Sequence, residues 1–433
     1  MKKYDEYKDS GVAWIGEVPK HWEVIKLKYK YHFQTGATPN TGKKENFEGD
    51  LRWANISDLN GSVVYDTTKH INKEAASKCS MNISPKGSLM YSFKLSVGTV
   101  AFCGEDMYTN EAIASFIPQK NDLKYLFYCA PIFIIHNANR NIYNAPLLNQ
   151  ELIKNALICL PSLNEQTVIA AYLDTHCAKI DNLISIQQKR IALLQELKQS
   201  VITHAVTKGL NPNVEMKPSG VEWIGDVPKH WKVMPIKYIA DTNSGATPKN
   251  IKGRQNERSD IKWVRTTDLS DICDYVYDSS EYLSREEMKS ASCPWLPKNT
   301  VVVAMYGGSG TIGKSGILDC DSTINQALCS LETKKLEDYR YLYYNIKSLR
   351  PYWMKFAASS RKDPNISQEI IRNMDVPVPG IDEQTKIVHY LDHKCATIDT
   401  SISNAQHQIE LLQEYKQSLI TEVVTGKRKV TDN

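Results

Sequence analysis

The stretch best suited to chemistry is Gly308-Ser309-Gly310-Thr311-Ile312-Gly313-Lys314-Ser315, which satisfies the phosphate-loop spacing G-x4-G-K-[ST] and also contains G-x-G-x-x-G. Such a loop holds phosphate only where a helix starts at its Lys-Ser end, because free backbone N–H groups and the positive end of the helix dipole form the cradle. The apolar run 301–306 leads in correctly, but Gly316-Ile317-Leu318-Asp319 follows, a sequence for strand or turn. No later apolar strand ends in an aspartate suited to magnesium. The matching place in the first half of the chain, residues 94–100, keeps only a Gly-Thr-aliphatic core. A glycine-rich turn presenting Lys314 is the favoured reading.

Other reactive groupings fare no better. His389 and His393 stand four apart, the spacing of a helical metal pair, with Cys395 beside them. Their counterparts in the first half are Ala171, Thr175 and Cys177, and no second cluster supplies a fourth ligand. Solvated helix residues account for them better. Glu287-Met288-Lys289 and Glu196-Leu197-Lys198 match the E-x-K end of a nuclease metal site, a triplet that any lysine-rich chain carries by chance. The N-P-P-[FY] turn of adenine methyltransferases and a glycine-rich loop for S-adenosylmethionine are both missing from the sequence. The chain reads as a binder rather than an enzyme, with no metal site.

Cations with aromatic and polar neighbours suit a nucleic-acid contact. They are Lys43, Lys44, Arg52, Lys94 and Arg140 in the first half. Lys249, Lys252, Arg254, Arg258, Arg265, Lys314, Arg361 and Lys362 follow in the second. Lysine and arginine neutralise phosphates, and a well-placed arginine reads guanine in the major groove. Each one alone is an ordinary surface charge. The run 249–258, with four cations in ten residues, is the strongest single candidate.

The elements that must position these residues are written twice. Residues 10–29 (SGVAWIGEVPKHWEVIKLKY) return at 219–238 (SGVEWIGDVPKHWKVMPIKY), an offset of 209. Residues 164–202 return at 382–420, an offset of 218. The segments between have drifted apart. A duplicated chain can fold with an internal pseudo-twofold, offering like surfaces to like partners while the drifted parts present unlike ones.

Four segments follow: a mixed globular part over 1–163, a helix over 164–208, a second globular part over 209–381, and a helix with a short tail over 382–433. Residues 164–208 contain neither glycine nor proline. Ile180, Ile184, Gln187, Ile191 and Leu194 step by 4, 3, 4 and 3, the spacing of a coiled-coil seam, and Ile398, Ile402, Ala405, Ile409 and Leu412 repeat it. Asn164 and Asp382 suit N-caps, and Gly209 and Gly426 suit helix ends. Two such seams in one chain predict helices packed on each other; the competing arrangement has each helix covering its own globular part. Short β-branched and aromatic runs, separated by turns such as Gly36-Ala37-Thr38-Pro39 and Gly245-Ala246-Thr247-Pro248, make the globular parts α+β.

At 433 residues, with 42% hydrophobic and 24% charged content, the composition is that of a globular protein of two to four domains. No apolar run reaches the length of about 18 residues expected of a membrane span, and the N-terminus lacks a signal-peptide core. The expectation is a cytoplasmic protein whose ten cysteines are reduced thiols. A net charge of +4 permits nucleic-acid binding through local patches without requiring it.

Taken in order, these motifs resemble the specificity subunits of type I restriction-modification enzymes across nearly the whole chain. They are S-G-x-x-W-I-G-x-[IV]-P-x-H-W at 10–22 and 219–231, the two G-A-T-P turns, and Leu160-Pro161-Ser162-Leu163-Asn164-Glu165-Gln166 with its echo Val378-Pro379-Gly380-Ile381-Asp382-Glu383-Gln384. The Lys208-Gly209-Leu210-Asn211-Pro212 link is in the same style. Each motif is weak alone; all of them, twice and in order, are specific. Gly380 departs from the second proline usual there.

The resemblance implies two target-recognition domains held apart by two antiparallel helices, each domain reading one part of a split double-stranded DNA site. It further implies two docked methyltransferase subunits and two ATP-dependent restriction subunits. S-adenosylmethionine, ATP and magnesium would belong to those partners and not to this chain. A targeting subunit of a type IIB-like methylase-nuclease and a stand-alone DNA-binding repressor are the alternatives.

Overall fold

A valine run shows how each globular part builds its core. In the strand Val301–Ala304 every side chain is buried, but Val301 and Val303 join one cluster while Val302 and Ala304 join another. Alternation across the pleat therefore fills the two faces of the sheet from one continuous apolar run. Leu89–Ser92 does the same in the first half, with Leu89 and Tyr91 on one face and Met90 on the other. The computed structural model describes residues 2–118, 122–248, 261–307, 310–334, 338–357 and 365–430.

The chain forms two compact units, Met1–Ile186 with Gln408–Asn433, and Gln187–His407. Within the first, a five-stranded sheet runs in the order Phe33–Thr35, Ile113–Phe116, Leu89–Ser92, Val100–Cys103, Val63–Val64, antiparallel except for its last pair. A three-stranded sheet places Leu51–Ala54 between Tyr108–Thr109 and His70–Ile71. The second unit repeats this topology. Its five strands run Ala240–Ser244, Leu328–Thr333, Val301–Ala304, Ser315–Leu318, Tyr275–Val276, and its three-stranded sheet centres on Ile261–Val264. The fold is α+β in two repeated domains with two long helices, as the sequence predicts.

Those helices span Leu163–Lys208 and Ile381–Val424. Their starts differ from the sequence expectation. Ser162, rather than Asn164, precedes the first helix, its carbonyl accepting from Gln166 N at 2.8 Å and its hydroxyl from Glu165 N at 3.4 Å. Gly380 precedes the second, so Asn164 and Asp382 both lie inside the first turn, where an acidic group favours the helix dipole. Among the described residues, no helix is long and apolar enough to cross a membrane.

Candidate nucleic-acid interface

The repeated motifs recur because they bond to one another. In the first unit Glu165 accepts from the Tyr4 hydroxyl at 2.7 Å and lies 3.0 Å from His21 Nε2. In the second, Glu383 lies 2.9 Å from His230 Nε2 and accepts from Trp231 Nε1 at 3.0 Å. Gln166 and Gln384 each donate back to the proline carbonyl five residues earlier, at 2.8 and 3.0 Å. The P-K-H-W block of each globular part is thus tied to the first turn of its own long helix. Buried tyrosines add a second tie: Tyr125 donates to Cys159 O at 2.7 Å and Tyr341 to Pro377 O at 3.0 Å. Burial pushes the Tyr125 phenol well above its usual range, which keeps it a neutral donor.

Each unit contains a length of both long helices. In the first, Lys416 donates to Asp181 at 2.6 Å, and Ile180, Ile184 and Leu412 join the same core. In the second, Lys198 donates to Asp399 at 2.8 Å. All ten positions at the 4, 3, 4, 3 spacing are buried or half-buried. Gln187 is the polar one among them, and its Oε1 lacks a hydrogen-bond partner among the described residues. Leu183, Ile186, Leu193, Leu197, Leu411 and Tyr415 stay exposed, so each helix also carries an apolar face toward solvent.

On the domain edges, the G-A-T-P turns are presented identically. Trp53 Nε1 donates to Ala37 O at 3.0 Å, and Trp263 Nε1 to Ala246 O at 3.1 Å. A Cβ on Gly36 would fall 1.7 Å from Thr109 O, and one on Gly245 would fall 2.0 Å from Ile324 O, so only glycine permits the approach. Thr38 then donates to Glu111, and Thr247 to Gln326. Reading for charge passed over Glu111 and Gln326, although the block N-[EQ]-A-[IL]-x-S at 110–115 and 325–330 marks both.

The sequence-selected cations divide into two sets. Lys43, Lys44, Lys94 and Arg140 are exposed. Arg140 donates to Asn144 O at 3.0 Å, closing a hairpin whose tip residues Ile142 and Tyr143 are 91% and 84% exposed. Arg52, Arg265 and Lys314 are instead engaged with acids: Arg52 with Asp66 at 3.4 Å, Arg265 with Glu281 at 3.6 Å, and Lys314 with Asp271 at 3.5 Å. Arg265 also donates to Ser280 at 2.6 Å. Lys249, Lys252, Arg254, Arg258, Arg361 and Lys362 lie outside the described residues.

The reactive motifs dissolve into scaffold. Ser315 opens the strand Ser315–Leu318 where a phosphate loop needs a helix. His389 and His393 are exposed while Cys395 is buried, so the three do not converge. Among the described residues no three His, Cys, Asp or Glu side chains group as metal ligands. Glu287 closes a capping box, accepting from Ser284 N at 2.8 Å.

Two copies of one α+β domain, each locked to a long helix and each edged by the same turn, define a duplicated recognition scaffold. The family model for the type I restriction modification DNA specificity domain matches twice, over residues 19–195 and 228–411. The chain belongs to that family and is a specificity subunit of a type I restriction-modification system.

Among curated relatives, the type I restriction enzyme MjaIX specificity subunit of Methanocaldococcus jannaschii is 24% identical over 431 residues, covering 96% of both chains. A chain from a structure on complex assembly and conformational transition of the type I restriction-modification system superposes with a TM-score of 0.71 at 14% identity, covering 94% of this chain and 98% of that one. The HsdS subunit of Thermoanaerobacter tengcongensis gives a TM-score of 0.50 at 15% identity, covering 95% and 98%.

Proposed function

We propose that this chain is the non-catalytic DNA-reading subunit of its complex, each globular part reading one half of a bipartite, asymmetric site. The observation that carries this is the contrast between what is repeated and what has drifted. The His–Glu ties and the helices are kept in both copies, whereas the sequences around the domain edges differ. Like helical surfaces suit two copies of one partner, which we assign to methyltransferase subunits; unlike domain edges suit two different half-sites. Exposed apolar side chains on the helices supply the docking faces.

On this reading S-adenosylmethionine is bound by the methyltransferase subunits, where the flipped adenine is received. ATP and magnesium are bound by two restriction subunits that join for cleavage. The long helices set the spacer between half-sites, since 46 helical residues extend about 69 Å, ample for domains one DNA turn apart.

The test is an exchange of residues 40–155 for the corresponding segment of another family member. One half-site of the methylated motif changes and the other stays; a change in both half-sites defeats the modular assignment.

A further inference from the structure

The two domain edges hold one side chain each in the same frame, and those two side chains differ in hydrogen-bonding sense. The backbone N–H of Asn110 donates to Ala54 O at 2.9 Å, and that of Asn325 to Val264 O at 3.0 Å. The asparagine side chains accept from Ala112 N and Ala327 N, both at 3.1 Å. Between each pair sits an exposed residue, Glu111 or Gln326, gripped by the threonine of the facing G-A-T-P turn. The same frame therefore holds the residue at its centre in both domains.

The threonine occupies one end of that side chain, and its identity as Glu or Gln sets what the other end offers. Thr38 donates to Oε2 of Glu111, which leaves Oε1 as an outward acceptor. Burial alone would raise the Glu111 carboxyl, but the Thr38 hydroxyl, its own backbone amide and the Lys94 charge together hold it below its usual value, so it stays ionised. Thr247 donates to Oε1 of Gln326, which leaves the amide nitrogen as an outward donor. A carboxylate on a surface that meets phosphates is repelled unless it accepts from a base, and glutamate accepts from cytosine N4 while amide donors suit guanine or thymine oxygens and purine N7.

Resting on the DNA-reading assignment above, we infer that Glu111 and Gln326 are equivalent base-reading residues, one per half-site. Glu111 selects an amino-bearing base, cytosine or adenine, and Gln326 an acceptor-bearing one. Thr38 and Thr247 act as positioning residues that hold each side chain in place.

The test uses the purified complex of this chain with its methyltransferase subunits, selected against a randomised duplex library, in wild type, Glu111→Gln and Gln326→Glu forms. Melting temperatures are taken alongside; both side chains are exposed and the exchanges isosteric, so the fold is expected to survive. Glu111→Gln is expected to shift preference by roughly tenfold at one base pair of one half-site and leave the other half-site alone, with Gln326→Glu doing the reverse. Unchanged motifs in both variants overturn the inference, as does an equal loss of binding to all sequences, which would make the pair scaffold. A wild-type complex that selects no split motif sinks the DNA-reading assignment itself, a separate result.

Discussion

Lys198 donates to both carboxylate oxygens of Asp399 at 2.8 Å, and one repeat away the same two positions meet with roles exchanged, Lys416 donating to Asp181 at 2.6 and 2.8 Å. Asp181 and Asp399 are equivalent in the duplication, as are Lys198 and Lys416, each separated by 218. Every such pair joins the aspartate of one copy to the lysine of the other. The helix of each copy is therefore completed by its duplicate, as two subunits of a dimer complete each other.

The two pairs differ in burial, and their mutations should differ accordingly. Lys198 is 8% exposed, whereas the Asp181 side chain of the other pair is 56% exposed. Lys198→Ala strands a half-buried carboxylate and is expected to cost about 2–3 kcal/mol. Lys416→Ala, in a solvated pair, costs less than about 1 kcal/mol. Chemical denaturation measures both; equal costs would mean that burial does not set the strength of these ties.

Asp274 supplies a pH dependence. Burial opposes its ionisation, but Lys347 at 2.6 Å and the Tyr343 hydroxyl at 2.6 Å outweigh that and hold its carboxyl below the usual range. A carboxyl lower in the folded than in the unfolded state stabilises above the unfolded value, near pH 4, and loses that contribution as pH falls through the folded value. Asp274→Asn should cost about 2 kcal/mol at pH 7 and flatten the stability curve below about pH 4. Parallel curves for wild type and variant would contradict this.

Much of this architecture was legible in the sequence, because repeats and a 4, 3, 4, 3 apolar spacing are direct physical signals. The helix starts were not, since Ser162 caps through a hydroxyl while Gly380 offers none, and both leave Asn164 and Asp382 in the first turn. The recurring block N-[EQ]-A-[IL]-x-S marks the edge residues Glu111 and Gln326, but not what they touch. Their partners Thr38 and Thr247 are 73 and 79 residues away in the chain, and only the fold brings them together. Arg265 and Lys314 stood out by charge and by their neighbours in sequence, yet the structure ties them to Glu281 and Asp271.

Arg140 stands at an exposed hairpin and is expected to contact phosphate. Arg140→Gln should weaken DNA binding by the whole complex uniformly across sequences and reduce the salt slope by about 1. A salt titration with matched and mismatched duplexes checks this; an unchanged slope removes Arg140 from the contact surface.

A heptad inserted after Gln187 together with one after Ala405 keeps both helices in step while lengthening each by about 10 Å, or roughly three base pairs. The methylated motif should keep both half-sites and gain a longer spacer. An unchanged spacer would show that the helices do not set the gap.

The most direct measurement is long-read methylome sequencing of a host that expresses this chain with and without a co-expressed type I methyltransferase subunit. A split, asymmetric, adenine-methylated motif should appear only when both proteins are made. No new motif with both proteins present, or a motif that appears without this chain, would contradict it.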